Sequence, residues 1–321
     1  MSLRTIVALA VLAVLSSGAW AQSFPSKPVR VIVTFPPGGT PDIYGRVMSA
    51  ELQKIWSQPV VVENRTGAGG TIGTDYAAKA APDGYTLLFA ADASITIAPH
   101  LYSKLPYDPQ RDLAPIVNVA AGPFVLMANP AFAPNSVKEL IALVQTQPGK
   151  VSYASSGAGG QQHLAMEYIR TMAGSMDMIH VPYKGFGQGI ADVLANQVPL
   201  IFGGITASIQ LTKSGKLKAL AVTGPKRAKA LPNVPAVAET LPGFDITAWY
   251  GFLAPAGTPR EIVKKIHDDS VAVIQRPDFL ERLDRDGIEP VGNTPEEFAA
   301  QIKTDLAHWA GIVKAAGAKL D

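Results

Sequence analysis

The chain of 321 residues contains no cysteine. This excludes disulfides, a thiol nucleophile, thiolate metal ligands and a lipid-modified cysteine, so the core must hold without covalent staples. Long apolar runs are also scarce. Past the N-terminal segment no stretch reaches the roughly 18 to 20 uncharged apolar residues that a lasting membrane helix needs. No charge sign dominates: 28 Lys and Arg face 26 Asp and Glu, and the basic residues are dispersed apart from Lys226, Arg227 and Lys229. Such a distribution is no footprint for nucleic acid, and the short cluster reads as a solvated loop. The five histidines, His100, His163, His180, His267 and His308, include no two at metal-ligand spacing. No metal or cofactor is expected. A Gly-x-Ser-x-Gly elbow, a His-Glu-x-x-His pair and a Ser-x-x-Lys signature set are missing as well, so no hydrolase motif is present.

What is present begins with a charged start at Arg4, an apolar core from Ile6 to Leu15 and small residues ending in Ala19-Trp20-Ala21. Residues 1–21 therefore read as a cleavable secretory signal, cut near Ala21, and the mature chain is expected to start at Gln22 and to be exported to the periplasm. About 300 residues then remain, enough for one large domain or, the preferred reading, two medium ones.

Apolar β-branched runs alternate with helical patterns along this mature part. Strands are expected at Val29–Thr34, Pro59–Val62, Thr86–Phe89, Phe124–Ala128, Val151–Ala154, Ile179–Val181, Val198–Phe202, Leu217–Val222 and Ile246–Leu253. Helices are expected near 41–56, 71–80, 136–147, 161–173, 186–196, 205–215, 259–275 and 294–316. The alternation predicts an α/β fold with mostly parallel sheets covered on both faces, and ligands bind such sheets beyond the carboxyl ends of the strands. Ser136 with Glu139, Thr258 with Glu261 and Thr294 with Glu297 each fit a capping box, with Pro259 and Pro295 at the first helical position.

Chemistry concentrates in the strand-to-helix turns. Phe35-Pro36-Pro37-Gly38-Gly39-Thr40-Pro41-Asp42 follows the first strand and enters a helix. Asn64-Arg65-Thr66-Gly67-Ala68-Gly69-Gly70-Thr71-Ile72-Gly73 and Ser155-Ser156-Gly157-Ala158-Gly159-Gly160-Gln161 repeat that arrangement. Glycine there permits positive φ and lets a ligand approach main-chain N–H groups, and free helix N-terminal amides favour an anion. Gly67, Gly69 and Gly73 resemble a dinucleotide fingerprint, but the spacing is one residue too long and no Lys-Ser/Thr follows any of the turns, so nucleotide binding is set aside. His163, in the first turn of its helix, stands where it touches a bound carboxylate or fixes the loop. Asp42 reads as a helix-start acid or as a ligand contact through water, a hydroxyl or an amine. Lys184, after the strand ending Val181-Pro182-Tyr183, is a candidate counter-charge or a solvated lysine. Trp249 and Tyr250, in a strand-like stretch, are core residues or pocket walls.

Taken together, these turns with Pro82-Asp83-Gly84-Tyr85-Thr86-Leu87-Leu88, Leu101-Tyr102-Ser103-Lys104-Leu105-Pro106-Tyr107-Asp108, His180-Val181-Pro182-Tyr183-Lys184-Gly185, Leu231-Pro232-Asn233-Val234-Pro235 and Gly251-Phe252-Leu253-Ala254-Pro255-Ala256-Gly257-Thr258-Pro259 resemble the tripartite tricarboxylate transporter receptor family, also called Bordetella uptake gene (Bug) proteins. The likeness covers essentially all of the mature chain. It implies a two-lobed periplasmic-binding-protein fold whose lobes, 22–122 plus 248–321 and 123–247, are joined by two crossing strands and close on a ligand in the cleft. The implied ligand is a small organic carboxylate: a di- or tricarboxylate, an acidic amino acid or an aromatic acid. The implied contacts are Phe35, Pro36, Gly38, Gly39, Asp42, Ala68, Gly69, Ser94, Ser155, Ser156, Gly157, Gly159, Gly160, His163, Lys184, Gly204 and Trp249. The implied partner is an inner-membrane tripartite permease, or a sensor kinase in a relative that has lost transport, and the receptor is expected to be a monomer. Gly160 and Gly203 depart from the family, which often has Ser or Thr and Asp there, and Asp92 and Ala93 occupy a loop usually rich in Ser, Thr and Gly; the acid missing at Gly203 weakens the case for a ligand amine, and Asp92 is the residue that would restore it. A secreted α/β enzyme acting on carboxylates is the competing reading, with a cleft His and Asp as acid and base.

Overall fold

Ten strands in the order β2-β1-β3-β9-β4-β7-β5-β6, with β8 and β10 also paired to β4, organise the chain. A computed structural model describes residues 24–174 and 176–320; the expected signal lies outside the described residues. The strands are β1 (Val29–Val33), β2 (Val60–Asn64), β3 (Thr86–Ala91), β4 (Leu113–Ala128), β5 (Ser152–Ser155), β6 (Ile179–Pro182), β7 (Leu200–Gly204), β8 (Lys218–Val222), β9 (Thr247–Pro255) and β10 (Glu289–Pro290). Parallel pairing holds β1 to β2 and β3, and β5 to β6 and β7. Every pairing of β4, and that of β3 with β9, is antiparallel. The expectation of mostly parallel sheets is thus corrected: two parallel βα units are sewn together by antiparallel crossing strands.

β4 carries that junction. Its first half pairs with β9 and its last residues, Phe124–Ala128, pair with β7 and β8. Only those last residues were expected as strand. Pro115, Asn118, Gly122 and Pro123 break the apolar pattern before them, and the register with β9 shifts twice, between Pro115 and Val117 and between Asn118 and Ala120. Irregular pairing accommodates residues that a regular ladder rejects.

Helices α1 (Thr40–Trp56), α2 (Thr71–Ala78), α3 (Ala98–Leu101), α4 (Val137–Thr146), α5 (Gln161–Met172), α6 (Phe186–Leu194), α7 (Ile205–Lys213), α8 (Arg260–Ile274), α9 (Pro277–Asp286) and α10 (Pro295–Ala316) cover the sheets. Short 3₁₀ turns at Ala68–Gly70 and Val237–Glu239 and a π-helical segment at Ala93–Ile97 complete the set. One capping box is complete: Thr294 accepts from the Glu297 amide while the Glu297 carboxylate accepts from the Thr294 amide. Ser136 caps α4, but Glu139 bonds the amide of Asn135 instead. Pro259 is the cap of α8 rather than its first residue, and the Thr258 hydroxyl donates to the Pro255 carbonyl, so no box forms there.

The core is continuous through the junction. Val31, Val33, Tyr44, Met48 and Phe89 pack with Phe252, Val125, Leu126, Met127, Tyr153 and Leu164 in one cluster, and Ile32, Leu88, Trp249, Leu253 and Phe298 form a second. Trp249 belongs to the second cluster: it is 1% exposed, meets Phe298 edge-on at 4.9 Å and donates its indole N–H to Asp305 Oδ2 at 2.9 Å. No helix of the described residues is long and apolar enough to cross a membrane.

Candidate functional site

The three glycine turns stand at the carboxyl ends of β1, β2 and β5, and Asp92 at the end of β3. Their hydrogen bonding separates amides that hold the loops from amides left over for a ligand. In the first turn, Gly38 N–H donates to Asp42 Oδ2 at 3.0 Å and Gly39 N–H to the Pro36 carbonyl at 3.3 Å. Asp42 also accepts from Arg46 Nε at 2.9 Å and Asn64 Nδ2 at 2.7 Å, and Asn64 Nδ2 reaches the Phe35 carbonyl at 3.0 Å. Burial pushes this carboxyl up, but the bonds from Arg46, Asn64 and Gly38 outweigh burial and hold it below the usual carboxylate range. Asp42 is therefore an ionised clamp tying the first turn to the second. Its oxygens are spent on protein donors, and Phe35 lies half-buried above them.

The second turn winds through four successive positive φ values, 120°, 46°, 65° and 95° at Gly67, Ala68, Gly69 and Gly70. Gly70 needs its small size as well as its φ, because a Cβ there would lie 3.1–3.2 Å from Ser94 and Thr34. Gly73 answers a different demand. A Cβ on it would meet the Arg65 carbonyl at 2.5 Å, so the glycine pattern that mimics a dinucleotide fingerprint serves close packing of α2 on its own turn. Gly70 N–H bonds the Gly67 carbonyl, whereas among the described residues no bond is recorded for the amides of Ala68 and Gly69, which are exposed.

In the third turn Ser155 is buried; its Oγ lies 2.7 Å from His180 Nε2, donates to the Gly157 carbonyl at 3.0 Å and accepts from Gly157 N–H at 3.2 Å. Gly159 N–H donates to His163 Nδ1 at 3.1 Å, Gly160 N–H to the Gly157 carbonyl at 3.3 Å, and Ser156 Oγ to Gln162 Oε1 at 2.8 Å. Expected donors Gly157, Gly159 and Gly160 are thus engaged within the loop, leaving the amides of Ser156 and Ala158 without a recorded bond among the described residues. His163 stacks on His180 at 3.9 Å, Tyr153 stacks on His180 at 5.0 Å, and Tyr153 O–H donates to Glu167, which Arg170 grips. Burial, then the neighbouring His163, pulls His180 down to about 4, and burial lowers His163 too. Both rings are neutral supports of the loop at pH 7.

Asp92 is 1% exposed. Its Oδ2 accepts from Gln161 Nε2, first residue of α5, at 2.7 Å, which links the β3 end to the third turn. Its Oδ1 has no partner, nor does the buried Thr34 Oγ1 at the end of β1. Tyr250, on β9, sits opposite Ala91 and near Asp92 and Thr40. Thr34 and Gln161 adjoin the turns read from the sequence but were assigned no contact there, whereas Asp92 and Tyr250 stood as candidates, the one in a selectivity loop and the other as a pocket wall, and packing brings them to these strand ends.

The remaining expected residues fall elsewhere. Ser94 is fully buried beside Thr74 Oγ1 at 3.0 Å, with the Tyr107 hydroxyl on its carbonyl, so it braces the π-helical segment. Lys184 is exposed, its amide bonding Gln188, and it forms no ion pair among the described residues. Gly204 is the cap of α7. A Cβ at Gly203 would strike Met127, Ser208 and Phe186 at 2.7–2.9 Å, so the loop has no room for an acid there as packed. No group of three or more His, Asp or Glu residues able to hold a metal occurs among the described residues.

Residues 44–318 match the family model described as "Tripartite tricarboxylate transporter family receptor". Protein BugT of Bordetella pertussis is 37% identical over 303 residues, 94% of this chain and 92% of that one. The R. palustris protein Rpa4515, solved with adipate, is 32% identical with TM-score 0.84 and coverage of 92% and 100%. MatC of Rhodopseudomonas palustris, solved with bound malate, is 30% identical with TM-score 0.80 and coverage of 90% and 100%. The α/β fold is thus the two-lobed fold of periplasmic binding proteins, and the chain belongs to the tripartite tricarboxylate transporter receptor family of solute-binding receptors.

Proposed function

We propose that the chain captures a small organic carboxylate between its lobes, 22–122 plus 248–321 and 123–247, and presents it without turnover to an inner-membrane permease of the tripartite type. The observation that carries this reading is the set of polar groups left over at the strand ends. Amides of Ala68 and Gly69 after β2 and of Ser156 and Ala158 after β5 are left over, as are the buried Thr34 Oγ1 beside Gly70 and the buried Asp92 Oδ1, whose carboxyl Gln161 ties to the third turn. Buried polar atoms seldom stay unpaired, so this set implies a polar ligand or the water around one. Backbone donors at helix starts favour an anion, and hinge closure would bring both sets onto it. Adipate and malate in two relatives fit that chemistry.

The test is a thermal-shift screen of the mature chain against mono-, di- and tricarboxylates, amino acids and aromatic acids. A ligand of the folded state raises the melting temperature by mass action. A shift confined to one class of acid is expected; shifts with sugars or nucleotides alone would contradict the reading. Release of a chemically altered acid would favour an enzyme instead.

A further inference from the structure

Asp92 is a buried carboxyl with no cation to balance it. Among the described residues no lysine, arginine or histidine forms an ion pair with it, and the charge whose field reaches it is a second carboxyl, Asp305 of α10. From the other elements it meets the neutral amide of Gln161 on α5 and the phenol of Tyr250 on β9. An ionised carboxylate so placed costs several kcal/mol unless it is paired, and the usual relief is to take up a proton. Gln161 N–H already occupies Oδ2 as a donor, so the oxygen left to carry that proton is Oδ1, the atom without a partner.

Resting on the carboxylate-receptor reading above, we propose that Asp92 selects the ligand: closed over its acid, the receptor holds Asp92 as a neutral carboxylic acid whose Oδ1–H donates to a second carboxylate or carbonyl oxygen of the ligand. Diacids without an amino group are then favoured, because an ammonium in that position would meet a donor instead of a charge. Burial, and after it the charge of Asp305, raises the Asp92 carboxyl well above its ordinary value, and bonds from Gln161 and the Ala93 backbone offset only part of that. In the open receptor water reaches the same carboxyl, so it is ionised at pH 7 and closure on a diacid takes up a proton. The chain carries glycine, not an acid, at position 203, so Asp92 is the acid at these strand ends left with an unpaired oxygen.

The test is isothermal titration of the mature chain with succinate, malate and aspartate, which differ only by hydrogen, hydroxyl or ammonium on one carbon, and with adipate. Titrations are run from pH 5.5 to 9 in buffers of different ionisation enthalpy. Aspartate is expected to bind at least ~10-fold more weakly than the better of succinate and malate. Uptake of close to one proton is expected at pH 7.5, with affinity falling about tenfold per pH unit between the open-state and closed-state values of the acid and levelling off, as proton uptake vanishes, once the closed-state acid titrates. Asp92→Asn, which keeps a donor in the same place, should bind diacids at a pH-independent level with no proton uptake. Asp305→Asn, which removes the like charge and so lowers the closed-state value, should make proton uptake and the fall in affinity end at lower pH. Preference for aspartate that Asp92→Asn abolishes would overturn the proposal in favour of a charged counter-ion for an ammonium. Equal proton uptake by wild type and Asp92→Asn would reduce Asp92 to a latch for Gln161. Failure of every acid to bind wild type would instead sink the receptor reading itself.

Discussion

Two nearly buried aspartates, Asp42 in the first turn of α1 and Asp92 directly after β3, have opposite electrostatic fates. Asp42 is ringed by Arg46, Asn64 and the Gly38 amide and is held in its charged form. Asp92 has one neutral amide and a facing carboxyl, and is pushed toward its neutral form. The difference shows that burial alone does not assign a role to an acid: the donors around it do. One aspartate builds the cradle, and the other is left with an oxygen to offer.

The largest effect that would break this comparison is expected from Asp42→Ala. It strands the Gly38 amide, Asn64 and Arg46, and should cost about 2–4 kcal/mol of unfolding free energy in urea melts. A cost below ~0.5 kcal/mol would mean that the clamp is dispensable. Asp92→Asn should act in the reverse direction. A carboxyl whose folded-state value is raised contributes stability that is fully present below its unfolded value near 4 and is lost as pH rises toward the folded value. With a saturating diacid holding the receptor closed, the substitution should therefore raise the melting temperature at pH 7–8 and lose that advantage near pH 4. An equal shift at both pH values would argue that packing, not titration, is responsible.

The histidine stack sharpens the contrast between the cleft's two sides. Because His180 is depressed to about 4, its contribution is present above the unfolded value near 6.5 and is lost as pH falls through about 4. Acid should thus loosen the third turn before the first, and the protection of the Gly157 and Gly159 amides, measured against the intrinsic exchange rate at each pH, should fall between pH 6.5 and 4 while that of Gly38 does not. The smallest effect is expected at Lys184, exposed and unpaired among the described residues: Lys184→Ala should change carboxylate affinity less than ~2-fold. A tenfold loss would show that the lysine swings into the cleft.

Much of this was legible in the chain. Apolar runs ending at Thr34, Val62 and Ala154, each followed by glycines and a helix, place the turns at strand ends, because strand period and turn chemistry are local. The crossing strand β4 was half hidden, since Pro115, Asn118, Gly122 and Pro123 are tolerated by irregular pairing that only the partner strand reveals. Helix α9 was missed behind Arg276-Pro277, where a cap in extended conformation restarts the helix directly after α8. At the site, residue types identified the glycine turns, but which amides are spent depends on where Asp42 and His163 point, and that is set by tertiary packing. Trp249 illustrates the limit: a ring suited to a pocket wall is fixed in the core by Phe298 and Asp305.

The most direct measurement is a crystal structure of the mature chain with whichever acid gives the largest thermal shift. The account predicts one ligand carboxylate within hydrogen-bond reach of the Ala68 or Gly69 and Ser156 or Ala158 amides, directly or through one water, with Asp92 Oδ1 on the ligand's far end. The same acid lodged in the groove of about 600 Å³ between Pro123, Lys226 and Glu289, with the glycine turns empty, would contradict it.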